Sequence, residues 1–254
     1  VLFDLETGGL DPDVDDIVTG TVVMVPARPV GGGPRTLVTH EWLAVPTKDI
    51  PQDATDVHGI TTEYAREFGT PMGTVVDEMT RALAGAMEAG ATLIGMNAAF
   101  DLTFLDRKCA EYGIVPLSER LPNGIRPVVD VYVIDKGVHP YRKGKRNLGA
   151  LCEFYGVTLD GAHDATADAL AAGRVAWALC RDYPDDVRNV DVQTLHDRQV
   201  AWKIEQSRSF ASWLRREAGK LDDPVERQKK HADADSIRPE WPYVPRAVPE
   251  ATLS

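Results

Sequence analysis

The chain has 254 residues, 43% hydrophobic and 26% charged, with a net charge of −11. This suits one sizeable core with an appendage, and no apolar run reaches membrane-spanning length. The acidic balance excludes a protein that grips nucleic acid by bulk charge alone, so a polyanionic ligand requires an acidic body with a local basic rim.

The sequence starts on Val1, which points to processing or a trimmed start, and it meets Asp4 too early for a signal peptide. Residues 1–6 (VLFDLE) read as a buried strand. Residues 17–26 and 36–45 read as two more, joined by a hairpin-type turn at ARPVGGGPR. A helix over 71–90 ends on a glycine, and 92–95 is a short strand. An amphipathic helix follows over 100–112, a short strand over 126–131, and helices over 147–155 and 165–181, the last rich in Ala. The order β-β-β-α-β-α-β-α-α implies an α/β protein. Its sheet is mixed and five-stranded, with the first three strands antiparallel and helices on its faces. YPDD breaks the chain after residue 182. One long helix is expected over 191–217, with Leu195, Trp202, Gln206, Phe210 and Trp213 on a stripe read as a packing face. The division is therefore 1–182 as the main domain, 183–221 as a helical appendage and 222–254 as a charged, Pro-rich, extended tail that Trp241 and Tyr243 pin to the surface. Cys109, Cys152 and Cys180 are odd in number and widely spaced. They read as reduced core thiols of a cytoplasmic protein, without metal-ligand spacing.

Three segments carry the chemistry. In Phe3-Asp4-Leu5-Glu6 the strand alternation points both carboxylates to one face. Two such groups repel and are costly to desolvate, and a divalent cation relieves both penalties; a solvated strand end is the plain alternative. Thr7-Gly8-Gly9-Leu10 follows as a tight turn where backbone N–H groups approach a ligand closely. Asn97-Ala98-Ala99-Phe100-Asp101 leaves the short strand and opens a helix, at the kind of strand end where α/β sheets bind ligands. Asp101 alone also fits a dipole-complementing residue. In His163-Asp164-Ala165-Thr166-Ala167-Asp168 a helix beginning after the histidine directs His163 and Asp168 to one crevice, with Asp164 as its cap. His163 alone would read as a surface histidine.

Together FDLETGGLDP, VHGIT, NAAFD and HDATADA, with NLGALCEFYGV ahead of the histidine, resemble the DEDD exonucleases of the His-bearing (DnaQ-like) subgroup. The proofreading epsilon subunit of bacterial replicative polymerase belongs to that family. The likeness runs from about residue 1 to residue 181. It implies a ribonuclease H-like fold and a 3′→5′ exonuclease that releases 5′-mononucleotides. Asp4, Glu6, Asp101 and Asp168 would hold two divalent cations, Mg²⁺ or Mn²⁺, and His163 would be the general base. Thr7, Gly8, Leu10, His58, Gly59, Ile60, Asn97 and Phe100 would contact the terminal nucleotide. Without the family, His58 reads as a loop histidine before a helix capped by Thr61 or Thr62. Two positions depart from the family pattern: Gly8 where a second Thr is frequent, and Met96 where a His often precedes the Asn.

Hard oxygen ligands suit Mg²⁺, two such ions neutralise a phosphodiester and stabilise its leaving oxygen, and an imidazole titrates near neutral pH. Residues 136–146 (KGVHPYRKGKR) form a basic island beside this chemistry. Arg142, Lys143, Lys145 and Arg146 are expected to hold phosphates and Tyr141 to stack on a base; a solvated loop is the equal alternative. The expected partners are nucleic-acid 3′ ends, DNA ahead of RNA, and a polymerase or other replication protein, with no membrane. Three other readings remain: an RNA or oligoribonucleotide exonuclease, a polymerase-bound module whose role is association, and a related endonuclease core.

Overall fold

The computed structural model describes residues 1–27, 35–159, 161 and 163–246. The strands β1 (Leu2–Thr7), β2 (Ile17–Met24) and β3 (Val38–Val45) pair antiparallel, as expected. Most of the turn between β2 and β3 lies outside the described residues. Helices α1 (Gln52–His58) and α2 (Thr62–Phe68) follow, then β4 (Thr70–Pro71) and the long α3 (Met72–Glu88). Strand β5 (Leu93–Gly95) leads into α4 (Ala98–Glu111) and the short α5 (Leu117–Arg120). Strand β6 (Val128–Asp130) runs directly into α6 (Val131–Val138), and α7 (Leu148–Tyr155) and α8 (Ala165–Asp182) complete the main layer. A single π turn, Pro184–Arg188, precedes α9 (Val192–Ala218) and α10 (Pro224–Asp235).

The described strands form one sheet in the order β4-β3-β2-β1-β5-β6, with β1, β5 and β6 parallel. The sixth strand is β4, which pairs through Ala44–Thr70 and Val45–Pro71 only. Two residues are too few to show a period of two, so sequence pattern missed it. α1 was missed for a related reason, since it spans seven residues and buries none of them, whereas α2 begins at the Thr61 cap that the sequence offered.

Alternation along β1 sorts its side chains. Phe3 and Leu5 enter a core with Val75, Met79 and Leu83 of α3 and Leu102 and Phe104 of α4. Burying each such side chain is worth roughly 1.5–3 kcal/mol. Leu2 faces the other way, against Val23 and Ala169 of α8. Small residues let α8 sit close to the sheet, since a Cβ on Gly173 would stand 3.0 Å from both Leu2 methyls. Ala169, Ala171 and Ala172 are fully buried on the same helix. Asp4 and Glu6 share this α8 side of the strand.

The tail departs from expectation. Pro224–Asp235 is helical, begun by Asp223, whose carboxylate accepts from the Val225 N–H at 2.8 Å. Its Ala234 packs on Ala211 and Leu214 of α9. A Pro at the first helical position and a capping Asp are helix-start signals, outweighed in the sequence by the surrounding charge. Trp241 is buried, as the pinning role requires, and Val244 N–H donates to Thr103 Oγ1 at 2.9 Å. Residues 247–254 lie outside the described part. No described helix is long and apolar enough to cross a membrane.

One buried ion pair clamps the turn after β1. Lys108 of α4 contacts Asp16 at 2.9 Å with both side chains less than 5% exposed. Asp16 also accepts from the Thr47 N–H and hydroxyl at 2.7 and 2.6 Å. Lys108→Ala strands that carboxylate without its cation, so a stability loss of about 3–5 kcal/mol is expected in urea unfolding. A loss below about 1 kcal/mol would show the pair to be dispensable.

Candidate active site

β1 delivers Asp4 and Glu6, and a register shift between Glu6 and Thr7 ends its regular pairing. The Thr7 hydroxyl then donates to Gly9 O at 2.7 Å, and Gly8 N–H to Asp16 O at 2.9 Å. A Cβ on Gly9 would fall 2.1 Å from Asp15 Oδ2, so a larger residue there would have to displace the Asp15 carboxylate. The turn leaves Leu10 84% exposed at the rim. From β5 the chain reaches Asn97, held left-handed at φ 58°, and Asp101 lies buried in the first turn of α4. Phe100 packs on Phe104 with ring centres 4.8 Å apart. Met96 packs into the core on the α8 side.

α8 supplies the third segment. Asp164 caps it, accepting from the Ala167 N–H at 2.9 Å. His163 has φ 68° and is exposed, so its backbone turns back toward the helix, and its N–H lies 3.4 Å from Asp168 Oδ2. One ligand atom from each of Glu6, His163 and Asp168 lies within 4.8 Å of the others. Asp4 belongs to the same cluster electrostatically. Burial, then Asp101, Glu6 and Asp168, push its carboxyl well above the usual range. Burial and Asp168 push Glu6 up to about 7, and burial raises Asp168 and Asp101 as well. Among the described residues, no Lys or Arg pairs with any of the four. Asp168 Oδ1 is buried without a hydrogen-bond partner. An all-oxygen cluster that repels itself and leaves an acceptor orphaned fits hard divalent cations.

The same face carries a groove of about 310 Å³ lined by Glu6, Thr21, Glu41, His58, His163 and Thr166, among others. His58 ends α1, Gly59 closes that helix at φ 75°, and the Ile60 N–H donates to His58 Nδ1 at 3.1 Å. Burial and the neighbouring His163 lower the His58 pKa. Thr61 caps α2, accepting from the Tyr64 N–H. The segment VHGIT is thus brought beside the carboxylates although it lies far from them in sequence.

Two residues escaped sequence reasoning. Glu41 lies in register with Thr21, which is in register with Asp4, and accepts from Thr166 Oγ1 at 2.5 Å. Nothing in VTHEWLAV distinguishes it. Asp130 is fully buried at the end of β6 and accepts from the N–H groups of Asn97 and Tyr132 at 3.0 Å and from Trp241 Nε1 at 3.3 Å. An Asp between a strand and a helix, as in VVDVY, was the available cue.

The basic island divides. Asp135, fully buried in α6, takes Arg142 at 3.2 Å, Arg146, and the Tyr155 hydroxyl at 2.7 Å. Arg142 and Arg146 therefore turn inward as structural ions, against the expectation that they face phosphates. A buried carboxylate with no other cation claims them. Lys143, Lys145 and Tyr141 remain exposed.

The crowding predicts a pH signature. A carboxyl raised in the folded state holds its proton more tightly there than in the unfolded chain. For Glu6 the resulting penalty is absent below the ordinary value of 4.5 and complete above about 7. With ions chelated, the melting temperature relative to Glu6→Gln should fall across that window. Mg²⁺ should raise the melting temperature more above the window than below it. A chelated protein that gains stability over the same interval, relative to that variant, would contradict the assignment.

The profile of the RNase_T family, described as Exonuclease, matches residues 1–176. The chain is 25% identical over 222 residues to the PolC-type DNA polymerase III of Ureaplasma parvum, covering 84% of this chain and 14% of that protein. It is 28% identical over 182 residues to the PolC-type enzyme of Streptococcus sanguinis, covering 72% of this chain and 11% of the relative. The chain therefore spans only a small part of these relatives. In fold it is similar to E. coli exonuclease I crystallised with a dT13 oligonucleotide, with a TM-score of 0.58 and 16% identity over 72% of this chain and 41% of that one. From the match over residues 1–176, the chain belongs to the RNase_T exonuclease family.

Proposed function

We propose that the enzyme removes 5′-mononucleotides from the 3′ ends of single-stranded or frayed DNA, with Asp4, Glu6, Asp101 and Asp168 holding two divalent cations and His163 acting as general base. The carrying observation is the convergence of these carboxylates, without a counter-charge, next to an exposed histidine. Mg²⁺ or Mn²⁺ bound there would neutralise the phosphodiester and stabilise the developing charge on the leaving 3′-oxygen. His163 stands at the open edge of the cluster, where its ring can take a proton from the attacking water. Leu10, His58, Ile60 and Phe100, with the backbone of Thr7, Gly8, Gly59 and Asn97, would hold the terminal nucleotide so that its phosphate meets the carboxylates. DNA is favoured because the relatives are DNA polymerases and exonuclease I was crystallised on a deoxyoligonucleotide. The PolC likeness also supports a replicative polymerase as partner, which co-purification would test.

End-labelled DNA and RNA oligonucleotides, incubated with Mg²⁺, with Mn²⁺ and with chelator, test this reading. A 5′ label should give a descending ladder and a 3′ label a mononucleotide at once, both abolished by chelator. Asp4→Ala, Glu6→Ala and Asp168→Ala should abolish turnover through loss of metal. His163→Ala should lower kcat by about 10²–10⁴-fold while calorimetry still detects metal binding. Robust cleavage by Asp4→Ala, faster loss of RNA than DNA, or nicking of circular DNA would each redirect the assignment. Lys143→Ala with Lys145→Ala should raise KM and leave the melting temperature alone, whereas Arg146→Ala should lower the melting temperature.

A further inference from the structure

The family profile ends at residue 176, yet the protein continues: α9 packs on α6 and β6, α10 packs on α9, and a returning segment reaches Thr103 and Arg107 of α4. Two contiguous cavities of about 250 and 240 Å³ run along this junction. Both are lined by Asn97, Lys203 and Arg238. The first also touches Pro12 and Phe100, beside the active site, and the second touches Lys136, Gln206 and Phe210. Lys203 and Arg238 lie outside the matched family segment.

Two of the three cations here, Lys203 and Lys136, have no carboxylate paired to them among the described residues. Among the described residues, no hydrogen bond or ion pair holds Lys203; Asp130, the carboxylate whose charge acts on it, is already bonded to Asn97, Tyr132 and Trp241. Lys136 donates to the Tyr132 hydroxyl at 3.3 Å and sits 4.9 Å over that ring, and among the described residues no carboxylate pairs with it. Arg238 pairs with Glu240 at 2.8 Å, and Glu240 also lines the first cavity. The contrast with Lys108 is informative, because that structural lysine is matched by both Asp16 and Glu111. Gln206 donates to Val133 O, but its buried Oε1 has no partner.

Aromatic surface continues from the second cavity. Phe210 and Trp213 stack with centres 5.7 Å apart and planes 11° apart, and they are 45% and 43% exposed. Lys230 lies 5.8 Å above Trp213. The stripe on α9 thus packs inward through Leu195 and Trp202 but emerges at Phe210, against the expectation of one continuous packing face. Cations interleaved with exposed rings suit a single strand, whose phosphates take the charges and whose bases stack.

We propose that the C-terminal segment builds a strand-binding subsite, in which Lys203, Lys136 and Arg238 hold backbone phosphates behind the 3′ nucleotide and the Phe210–Trp213 pair stacks a base. The subsite rests on the exonuclease reading and deepens it. In a chain of net charge −11, retention of a strand falls to local cations of this kind.

The test uses the full chain and a fluorescent 20-nucleotide single strand, followed by anisotropy with Ca²⁺ in place of Mg²⁺ over a salt series. Lys136→Ala with Lys203→Ala should weaken binding about tenfold at low salt. It should also make the log–log salt slope shallower by about 1.4, at about 0.7 per lost contact. KM in Mg²⁺ should rise at least about fivefold more for the 20-mer than for a dinucleotide, which is too short to reach the subsite. Lys203→Arg should regain the slope, and Phe210→Ala should weaken binding without changing it. An active wild type whose double variant, equally folded by melting temperature, keeps the wild-type slope would overturn this subsite alone. Stabilisation by inorganic phosphate that Lys203→Ala abolishes, with unchanged 20-mer affinity, would assign a small-anion site and overturn it too. A wild type inactive with both Mg²⁺ and Mn²⁺ would sink the exonuclease reading and the subsite together.

Discussion

Mutual repulsion among Asp4, Glu6, Asp101 and Asp168, brought together from β1, α4 and α8 with no Lys or Arg paired to them among the described residues, is the constraint around which the protein is arranged. Such a cluster is costly in an empty protein. Something must hold it together. Close packing of α8 on β1 through Gly173 and its buried alanines does so from one side, and the cores under β1 and α4 do so from the other. Asp164 at the cap and the Thr21–Thr166–Glu41 chain, with contacts of 2.8 and 2.5 Å, tie down the turn that carries Asp168. On the proposed reading, divalent cations would relieve in the folded state a repulsion that no Lys or Arg among the described residues relieves, and binding them would return the stability surrendered at the site.

The surroundings repeat this separation of structural from available charge. Lys108 and the pair Arg142 and Arg146 are turned inward onto Asp16 and Asp135, the first beside the turn that follows β1. Lys203 and Lys136 are left without such partners, at the junction between the family domain and its C-terminal wrap. Asp130 joins the two parts. It caps α6, holds Asn97 in place ahead of α4, and receives the Trp241 indole from the returning segment. The C-terminal segment is therefore coupled to the strand-end loop that positions Asp101.

Much of this was legible in the residues themselves. Alternation in VLFDLE placed Asp4 and Glu6 together on one face, and the expected strands and longer helices appear within a few residues of their bounds. Short elements were not legible. β4 owes its form to the sheet edge it pairs with, and α1 buries no residue, so neither is long or apolar enough to carry a period of its own. Similarly, α10 was hidden by its charge, and its burial of Ala234 against α9 is a contact between distant segments.

By itself the sequence determined which side chains are chemically equipped to act: carboxylates at strand and helix ends, a histidine beside a helix start, and a glycine turn. Those properties follow from local backbone geometry, which neighbouring residues set. Only the tertiary structure decided which charges are spent and which are available. Arg142 and Lys143 are adjacent in the chain, yet one is claimed by a buried Asp135 and the other reaches water. Glu41 enters the site for the same kind of reason, through cross-strand register and a contact with Thr166, 125 residues away. A charge acquires its role from the partners that folding brings to it, and no local pattern encodes them.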